Sequence, residues 1–289
     1  MLRLRIGGVA EHYNLPWHLL RESGTLEQYG IEMVWRDCHG GTGEMTHLLN
    51  EDELDVAVLL TEGIVADKLK GSETKILKVF VKSSLEWGVH IPVTEAAIPK
   101  HMQISFGVSR IGSGSHYMAS LYADRSGIAK EHLKFVEVGS LEGAMKAFDE
   151  KQIDAFLWER FTTEPYCEPH HIQRIDSIHT PWPCFVVATR ADVYANHQEK
   201  IEELLSAVLR QATSLKQDPK AVEVIAQRYT LPKSRVAQWF DHVNWGSGEN
   251  LSPGELETVI NSLQSLGGLN AEIEAFQSRY SEQEAFLTA

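Results

Sequence analysis

An internal repeat with an offset of 99 residues constrains the fold of this chain more than any other feature. It aligns Asp55 with Asp154, and Leu54 with Ile153. Each copy has small residues, an amphipathic helical pattern, an acidic turn and then a short apolar run typical of a buried strand. Two equivalent helix–strand segments at this spacing predict two α/β lobes of similar build.

The strands of the repeat predict where a ligand would bind. In parallel α/β sheets, ligands bind beyond the carboxyl ends of the strands. The predicted strands end at Thr61-Glu62 in the first lobe and at Trp158-Glu159 in the second. We therefore expect both strand ends to face one interlobe cleft.

The lobe boundaries follow from two expected chain crossings. Ser83–Pro92 is polar and ends at a proline, as a crossover would, and the proline-punctuated run 179–183 returns the chain. We expect lobe 1 to contain residues 1–86 and 184–289, and lobe 2 to contain residues 87–183. Two crossings between two lobes make a hinge, which is a common binding architecture.

Beyond the second crossing, the chain is predicted to rejoin the first lobe. Phe185–Thr189 has the pattern of a strand, and from Ala191 onward the pattern is helical. The predicted helices carry ordinary amphipathic faces. They are Ile201–Leu215, Ala221–Tyr229, Lys233–Trp245 and Glu255–Leu266.

The run Gly107–His116 predicts a strand–loop–helix connection that can hold a small anion. The first amides of a helix have no intrahelical partners, and its dipole favours negative charge there. Ser113 and Ser115 add hydroxyl donors, and Arg110 adds a positive charge. The alternative is a helix N-cap and nothing more, because serine is a favoured N-cap residue.

The candidate ligand-binding residues all follow predicted strands. They are His12, Tyr13, Asn14, Gly41, Thr42, Thr61, Glu62, Ser83, Arg110, Ser113, Gly114, Ser115, His116, Trp158 and Glu159. The serine loop would hold an acidic group, and Trp158 would cover the ligand. Glu62 and Glu159 suit a ligand with both a cationic and an anionic end, or else are two exposed carboxylates on loops.

Composition excludes several classes of partner. The net charge of −13, with no basic tract, argues against nucleic acid and anionic membranes. Three cysteines without a CxxC pair indicate neither a disulfide framework nor a zinc site. No run approaches the ~18 apolar residues of a membrane helix, so no membrane insertion is expected. We predict no metal, no other cofactor and no catalytic residue, with a small molecule as the partner.

The N-terminus predicts the location of the protein only conditionally. Met1–Val9 has the pattern of a strand, without the basic head and apolar stretch of a secretory signal. If Met1 is the native start, we expect a cytoplasmic protein. A chain trimmed at a processing site would instead be periplasmic.

Taken in order, several motifs resemble the type 2 periplasmic-binding-protein superfamily. The branch is that of the alkanesulfonate-, nitrate- and taurine-binding proteins and the thiamine-pyrimidine synthases. The matching segments span roughly residues 1–190. They are Leu4–Gly7, Gly40–Gly43, Glu53–Ala57, Phe106–Val108, Gly112–His116 and Ile153–Trp158 with Phe161.

The resemblance implies both a fold and a function. The fold would be two Rossmann-like lobes joined by a two-crossover hinge. The function would be that of an ABC-transporter-type substrate-binding protein, which captures a small anionic or zwitterionic organic ligand by hinge closure. The loop matching Gly112–His116 would bind the acidic group. Pro99–Gln103 replaces a lysine-glycine-lysine approach, and a signal-less cytosolic subgroup looks closest. Whether a transporter permease is a partner stays open.

The same fold also hosts enzymes, which gives an alternative. The thiamine-pyrimidine synthases use pyridoxal phosphate and a run of iron-binding cysteines, whereas Cys38 stands alone. The opening loop of two menaquinone-pathway enzymes is not matched by Gly8–Asn14. A cytosolic enzyme acting on a thiamine-precursor-like or other heterocyclic substrate remains the second hypothesis. Its acid–base chemistry would come from the histidines at positions 12, 39, 90 and 116.

Overall fold

The computed structural model describes residues 1–265, which form two compact units. The first unit contains Met1–Ser84 and Pro181–Gln264, and the second contains Leu85–Thr180. The chain thus passes between the units at 84/85 and again at 180/181. Residues 266–289, which include Leu266 of the last predicted helix and the end of predicted lobe 1, lie outside the described part.

Strands and helices alternate through most of the chain. The strands are β1 Leu2–Gly8, β2 Ile31–Asp37, β3 Val56–Leu60, β4 Thr74–Val81, β5 Glu86–Pro92, β6 Ile104–Val108, β7 Leu133–Glu137, β8 Ala155–Glu159, β9 Ile172–His179 and β10 Phe185–Arg190. The helices are α1 Leu15–Glu22, α2 Gly41–Asn50, α3 Thr61–Leu69, α4 Gly114–Ser126, α5 Leu141–Asp149, α6 Arg160–Cys167, α7 Ala191–Gln217, α8 Ala221–Arg228, α9 Lys233–His242 and α10 Pro253–Ser265.

Each unit is built on one five-stranded mixed sheet. In the first unit the order is β2-β1-β3-β10-β4, and in the second it is β7-β6-β8-β5-β9. The first three strands of each sheet are parallel, and the fourth runs antiparallel to both of its neighbours. The fourth strand, β10 or β5, is in each case the one that follows a passage between the units. The predicted fold class, two α/β lobes, is confirmed.

The 99-residue repeat corresponds to equivalent elements in the two units. β3 and β8 begin and end 99 residues apart. Asp55 accepts a hydrogen bond from the Arg5 backbone N–H at 2.8 Å, and Asp154 accepts one from the Ser105 N–H at 2.8 Å. In both units the acidic turn therefore fixes the strand of the repeat against its parallel neighbour in the sheet, β1 or β6.

Helix α5 shows how the sequence encodes these elements locally. The Ser140 hydroxyl caps it by accepting from the Gly143 N–H, and its apolar residues at 141, 144, 145 and 148 are buried on one face. A Cβ at Gly143 would lie 1.8 Å from the Val138 carbonyl oxygen, so only glycine allows the helix to begin this close to β7. Among residues 1–265, no helix is long and apolar enough to cross a membrane.

Two predictions about elements were wrong. The segment expected to be a polar crossover, Ser83–Pro92, is mostly strand β5, which lies inside the second sheet between β8 and β9. Residues 87–91 are all buried there, and the apolar residues Trp87, Val89 and Ile91 alternate with Gly88 and His90, as in a strand. The helix expected over Lys233–Trp245 ends at His242, and Trp245 instead forms an isolated bridge with Val81.

Candidate functional site

In the first unit, the candidate residues cluster along one edge of the sheet. His12–Asn14 follows β1, Gly41 and Thr42 follow β2, and Thr61 and Glu62 follow β3. Ser83 follows β4, which runs in the same direction as β3 because both are antiparallel to β10. The topology therefore gathers all of these candidates at the carboxyl end of the parallel strands, as the sequence predicted.

The turn after β1 is buried rather than open. His12, Tyr13 and Asn14 form a short 3-10 helix in which all three side chains are buried. The His12 ring stacks on Tyr13 and meets Trp239 edge-on at 4.1 Å between centroids. Burial lowers the pKa of His12 to about 3, so this ring is neutral over the physiological range. Asn14 donates to the Val9 carbonyl, which fixes the turn.

Two threonines tie neighbouring elements together at this edge. The Thr42 hydroxyl accepts from the Leu60 N–H at 3.1 Å and so fixes the start of α2 to the end of β3. The Thr61 hydroxyl donates to the Pro183 carbonyl at 2.5 Å, and the Thr61 N–H donates to the Cys184 carbonyl at 3.1 Å. Both side chains are buried and have a packing role already. Their predicted contact with a ligand stays a prediction.

Glu62 is fully buried in the first turn of α3. Its Oε2 accepts from the Trp182 indole N–H at 2.9 Å, and its Oε1 has no hydrogen-bond partner among the described residues. Burial raises the pKa of Glu62 to about 7, and its own backbone N–H and the Trp182 indole oppose that rise. The alternative of an exposed carboxylate on a loop is therefore wrong for this residue.

In the second unit, the loop after β6 is held by its own serine hydroxyls. Ser115 Oγ accepts from the Ser109 N–H at 2.9 Å and lies 3.0 Å from Ser113 Oγ. Ser113 caps α4 by accepting from the His116 N–H, and it also accepts from the Arg110 N–H, both at 3.4 Å. Both serines are buried. Ser113 is thus the N-cap of α4, as one interpretation of the sequence expected, and the hydroxyls of Ser113 and Ser115 both lie buried at the start of this helix.

Gly112 and His116 fix the outer part of the same loop. Gly112 has a φ of 80°, which favours glycine. Its N–H donates to His116 Nδ1 at 3.0 Å, so the neutral ring carries its proton on Nε2. Partial burial lowers the pKa of His116. Gly114 is the first residue of α4.

Trp158 and Glu159 end β8 at the corresponding edge of the second sheet. Trp158 is half-buried and stacks on Phe156 at 5.4 Å between centroids. Glu159 is buried and caps α6: Oε1 accepts from the Phe161 N–H, and Oε2 accepts from the Thr162 N–H and hydroxyl. Burial raises the pKa of Glu159 to about 7, and these donors oppose the rise. An exposed loop carboxylate is wrong here too.

Sequence reasoning missed an ion-pair network beside Glu159. Arg160 donates to both oxygens of Glu86, at 2.9 and 3.0 Å, and the Ser177 hydroxyl donates to Glu86 at 2.7 Å. Arg160 and Ser177 lower the pKa of Glu86, although burial opposes them. The polarity of the 83–92 segment was the available signal, but it was interpreted as a crossover rather than as the start of β5.

The described residues offer no ready metal centre. Among residues 1–265, no group of three or more histidine, cysteine or acidic side chains is arranged to hold a metal ion. The cysteines at positions 38, 167 and 184 form no disulfide within residues 1–265, and burial raises the pKa of Cys38 to about 11. The polar groups at both sheet edges are serine and threonine hydroxyls, buried carboxyls and indole N–H groups, which suit hydrogen bonding to a small organic molecule.

The two mixed sheets, with candidate residues at their carboxyl edges, define the fold of the type 2 periplasmic binding proteins, as the sequence predicted. A family model described as Ca3427-like PBP matches residues 87–178, about a third of the chain. No curated protein matches the sequence.

Solved structures show the same fold over nearly the whole chain. The Candida albicans CA3427 gene product, described as defining a new family with the generic periplasmic-binding-protein fold, is 26% identical. The match covers 96% of this chain and 95% of that one, with a TM-score of 0.86. The alkanesulfonate-binding protein SsuA from Xanthomonas axonopodis pv. citri, bound to MOPS, is 14% identical over 95% and 94%, with a TM-score of 0.73. The periplasmic nitrate-binding protein NrtA from Synechocystis PCC 6803 is 13% identical over 96% and 86%, with a TM-score of 0.69.

Proposed function

We propose that this protein is a solute-binding protein that captures a small anionic or zwitterionic organic molecule. In this proposal the carboxyl edges of both sheets contribute to the site, and the two units close over the ligand. The fold supports the proposal, since proteins with this fold include an alkanesulfonate-binding protein and a nitrate-binding protein. The ABC-transporter type of function and any permease partner belong to the same proposal.

The observation that carries this proposal is the start of α4. Ser113 and Ser115 place two buried hydroxyls, 3.0 Å apart, at the N-terminus of a 13-residue helix. Helix N-termini favour anions because their amides point outward and the helix dipole is positive there. A sulfonate or carboxylate oxygen would accept from the two hydroxyls and from the Gly114 amide, and also from the His116 amide once it leaves its 3.4 Å bond to Ser113 Oγ, with Arg110 adjacent in the chain.

The direct test is native mass spectrometry of freshly purified protein, compared with its denatured mass. We expect an excess mass of a small acid that is lost on denaturation. The double variant Ser113→Ala with Ser115→Ala should lose the excess, or bind the identified acid about tenfold more weakly for each charged hydrogen bond removed. An excess that survives denaturation would instead support a covalent intermediate and the enzyme hypothesis.

A matched control separates ligand binding from helix capping. Ser252 caps α10 in the first unit by accepting from the Glu255 N–H, and it is exposed. The substitution Ser252→Ala removes a comparable cap and should cost about 1 kcal/mol of stability without changing the bound mass. Unchanged affinity in the Ser113/Ser115 double variant would contradict the proposal.

A further inference from the structure

The strongest unexplained group in the first unit is the Glu62 carboxyl. It is completely buried, and its Oε1 has no hydrogen-bond partner among residues 1–265. A buried polar atom normally has a partner, because leaving it without one is costly. Glu62 lies at the carboxyl end of β3, among the candidate residues, so a partner supplied by a ligand would fit its position.

No charged side chain among residues 1–265 balances the Glu62 carboxylate. α3 packs against α2, β3 and β10. Among the described residues of these elements and of the segment 181–184, no titratable side chain acts on Glu62. Only burial, its own backbone N–H and the Trp182 indole affect its ionisation. A cationic hydrogen-bond donor on a ligand would therefore add to these two neutral donors and would be the first charged group to favour the ionised form.

The other carboxyl oxygen connects Glu62 to the segment by which the chain returns to the first unit. Trp182 donates to Glu62 Oε2 at 2.9 Å. Beside it, Thr61 donates through its hydroxyl to the Pro183 carbonyl and through its N–H to the Cys184 carbonyl. Residues 182–184 are thus bound to the first turn of α3 by three hydrogen bonds, and Glu62 makes the one that depends on a titratable group.

Glu159 in the second unit does not have this property. Both of its oxygens accept hydrogen bonds from the first turn of α6, and the Thr162 hydroxyl adds a third donor. Of the two buried carboxyls at equivalent strand ends, Glu62 is the one with an oxygen left for a ligand.

We infer that Glu62 Oε1 recognises a hydrogen-bond donor on the ligand, an ammonium or amino nitrogen, and that Trp182 couples this contact to the returning segment 181–184. The inference rests on the proposed function and makes it more specific: the ligand is zwitterionic or carries an amino group. Binding of a cationic donor favours the carboxylate, so near neutral pH the fraction of Glu62 that is protonated releases its proton to the solvent buffer on binding.

The test follows the Trp182 indole N–H by proton–nitrogen NMR between pH 5.5 and 8.5. The chain has seven tryptophans, and Trp182→Phe assigns the signal. In the wild type, and in the exposed-carboxyl control Glu32→Gln, we expect the Trp182 signal to move with a single inflection near pH 7. In Glu62→Gln, which keeps the side-chain shape, the signal should not move. The remaining indole signals report whether each variant is folded.

Matched probes then test recognition of a donor. The pairs are taurine with ethanesulfonate, β-alanine with propionate, and MOPS with 1-propanesulfonate. In each pair the acidic end is kept and only the first member carries an amino nitrogen. We expect at least one amino-bearing probe to move the inflection to lower pH and to bind about tenfold more tightly than its partner, with the difference lost in Glu62→Gln.

Several results would overturn the inference. One is a wild-type Trp182 signal without an inflection, and another is an inflection that persists in Glu62→Gln. A third result is that both members of every probe pair bind equally and shift the inflection equally, while native mass spectrometry finds a bound acid. This would refute recognition by Glu62 but would still agree with the proposed function. If no probe changes the spectrum and no bound mass is found, both the inference and the proposed function fail.

Discussion

The two units share one plan but use their buried carboxyls differently. In each unit an acidic turn fixes the strand of the repeat, and a buried glutamate lies near the end of that strand. Glu159 is the last residue of β8, and both of its oxygens accept from the first turn of α6. Glu62 lies two residues after β3 and instead bonds to Trp182, which is 120 residues away, while its other oxygen has no partner among residues 1–265. The two carboxyls thus serve local capping in one unit and a non-local link in the other.

The largest expected difference concerns the acidic turns. Asp55 is buried, and besides the Arg5 N–H it accepts from the Arg5 guanidinium at 2.6 and 3.0 Å, whereas Asp154 is exposed and accepts from one amide. We expect Asp55→Ala to cost about 3 kcal/mol of unfolding free energy, and Asp154→Ala about 1 kcal/mol. Urea unfolding followed by circular dichroism measures both. Equal losses of unfolding free energy in the two variants would show that burial of the acidic turn does not add to its stabilising effect.

The next effect concerns acid stability. Burial lowers the pKa of His12 in the first unit to about 3, and that of His90 in the second to about 4. Each ring is neutral when folded and takes up a proton when unfolded below pH 6.5, so stability is lost as the pH falls. We expect His12→Phe to reduce the loss of unfolding free energy between pH 7.5 and pH 5 by about 2 kcal/mol.

Two checks belong to the His12 experiment. The unfolding curves at both pH values should be compared with those of His101→Asn, whose side chain is exposed and which should leave the pH profile as in the wild type. The second unit retains His90, so some acid sensitivity should persist in His12→Phe. An unchanged profile would mean that His12 is not buried as a neutral ring.

The smallest effect concerns the two buried carboxyls, Glu62 and Glu159. The Glu62 pKa, raised from 4.5 to about 7, makes the folded state bind the extra proton, so stability falls as the pH rises from 4.5 through 7. At pH 8.5 the wild type carries a cost of about 3 kcal/mol. Glu62→Gln removes this cost but buries an unpartnered amide, for a net gain of about 1 kcal/mol.

The matched variant in the second unit should gain less. Burial also raises the pKa of Glu159 to about 7, so Glu159→Gln removes a similar cost of ionisation, but it replaces one of two accepting oxygens with a donor that faces the N–H groups of α6. We expect no net gain at pH 8.5, because the lost helix cap and the facing donors offset the removed cost. Thermal unfolding of both variants at pH 5 and pH 8.5 gives the comparison. An equal net gain of stability in both variants would remove the distinction drawn between the two carboxyls.

The sequence by itself determined the parts of the fold that depend on local pattern. The 99-residue repeat predicted β3 and β8 with the helix that precedes each, α2 and α5, and the order of motifs predicted the superfamily fold. It also placed the candidate residues at strand ends, because an apolar run followed by a capped helix is encoded by neighbouring residues. The serine loop before α4 was predicted on the same basis.

Only the tertiary structure decided what depends on contacts between distant parts of the chain. β5 and β10 are the fourth strands of their sheets and also begin 99 residues apart, but each pairs with strands from elsewhere in the sequence, and only the fold shows this pairing. Burial of Glu62 and Glu159 could not be inferred, since a carboxyl at a strand end is exposed unless other segments cover it. Trp182 covers and bonds Glu62 only after the chain returns to the first unit. Burial and pairing are properties of the assembled fold, whereas helix and strand patterns are properties of neighbouring residues.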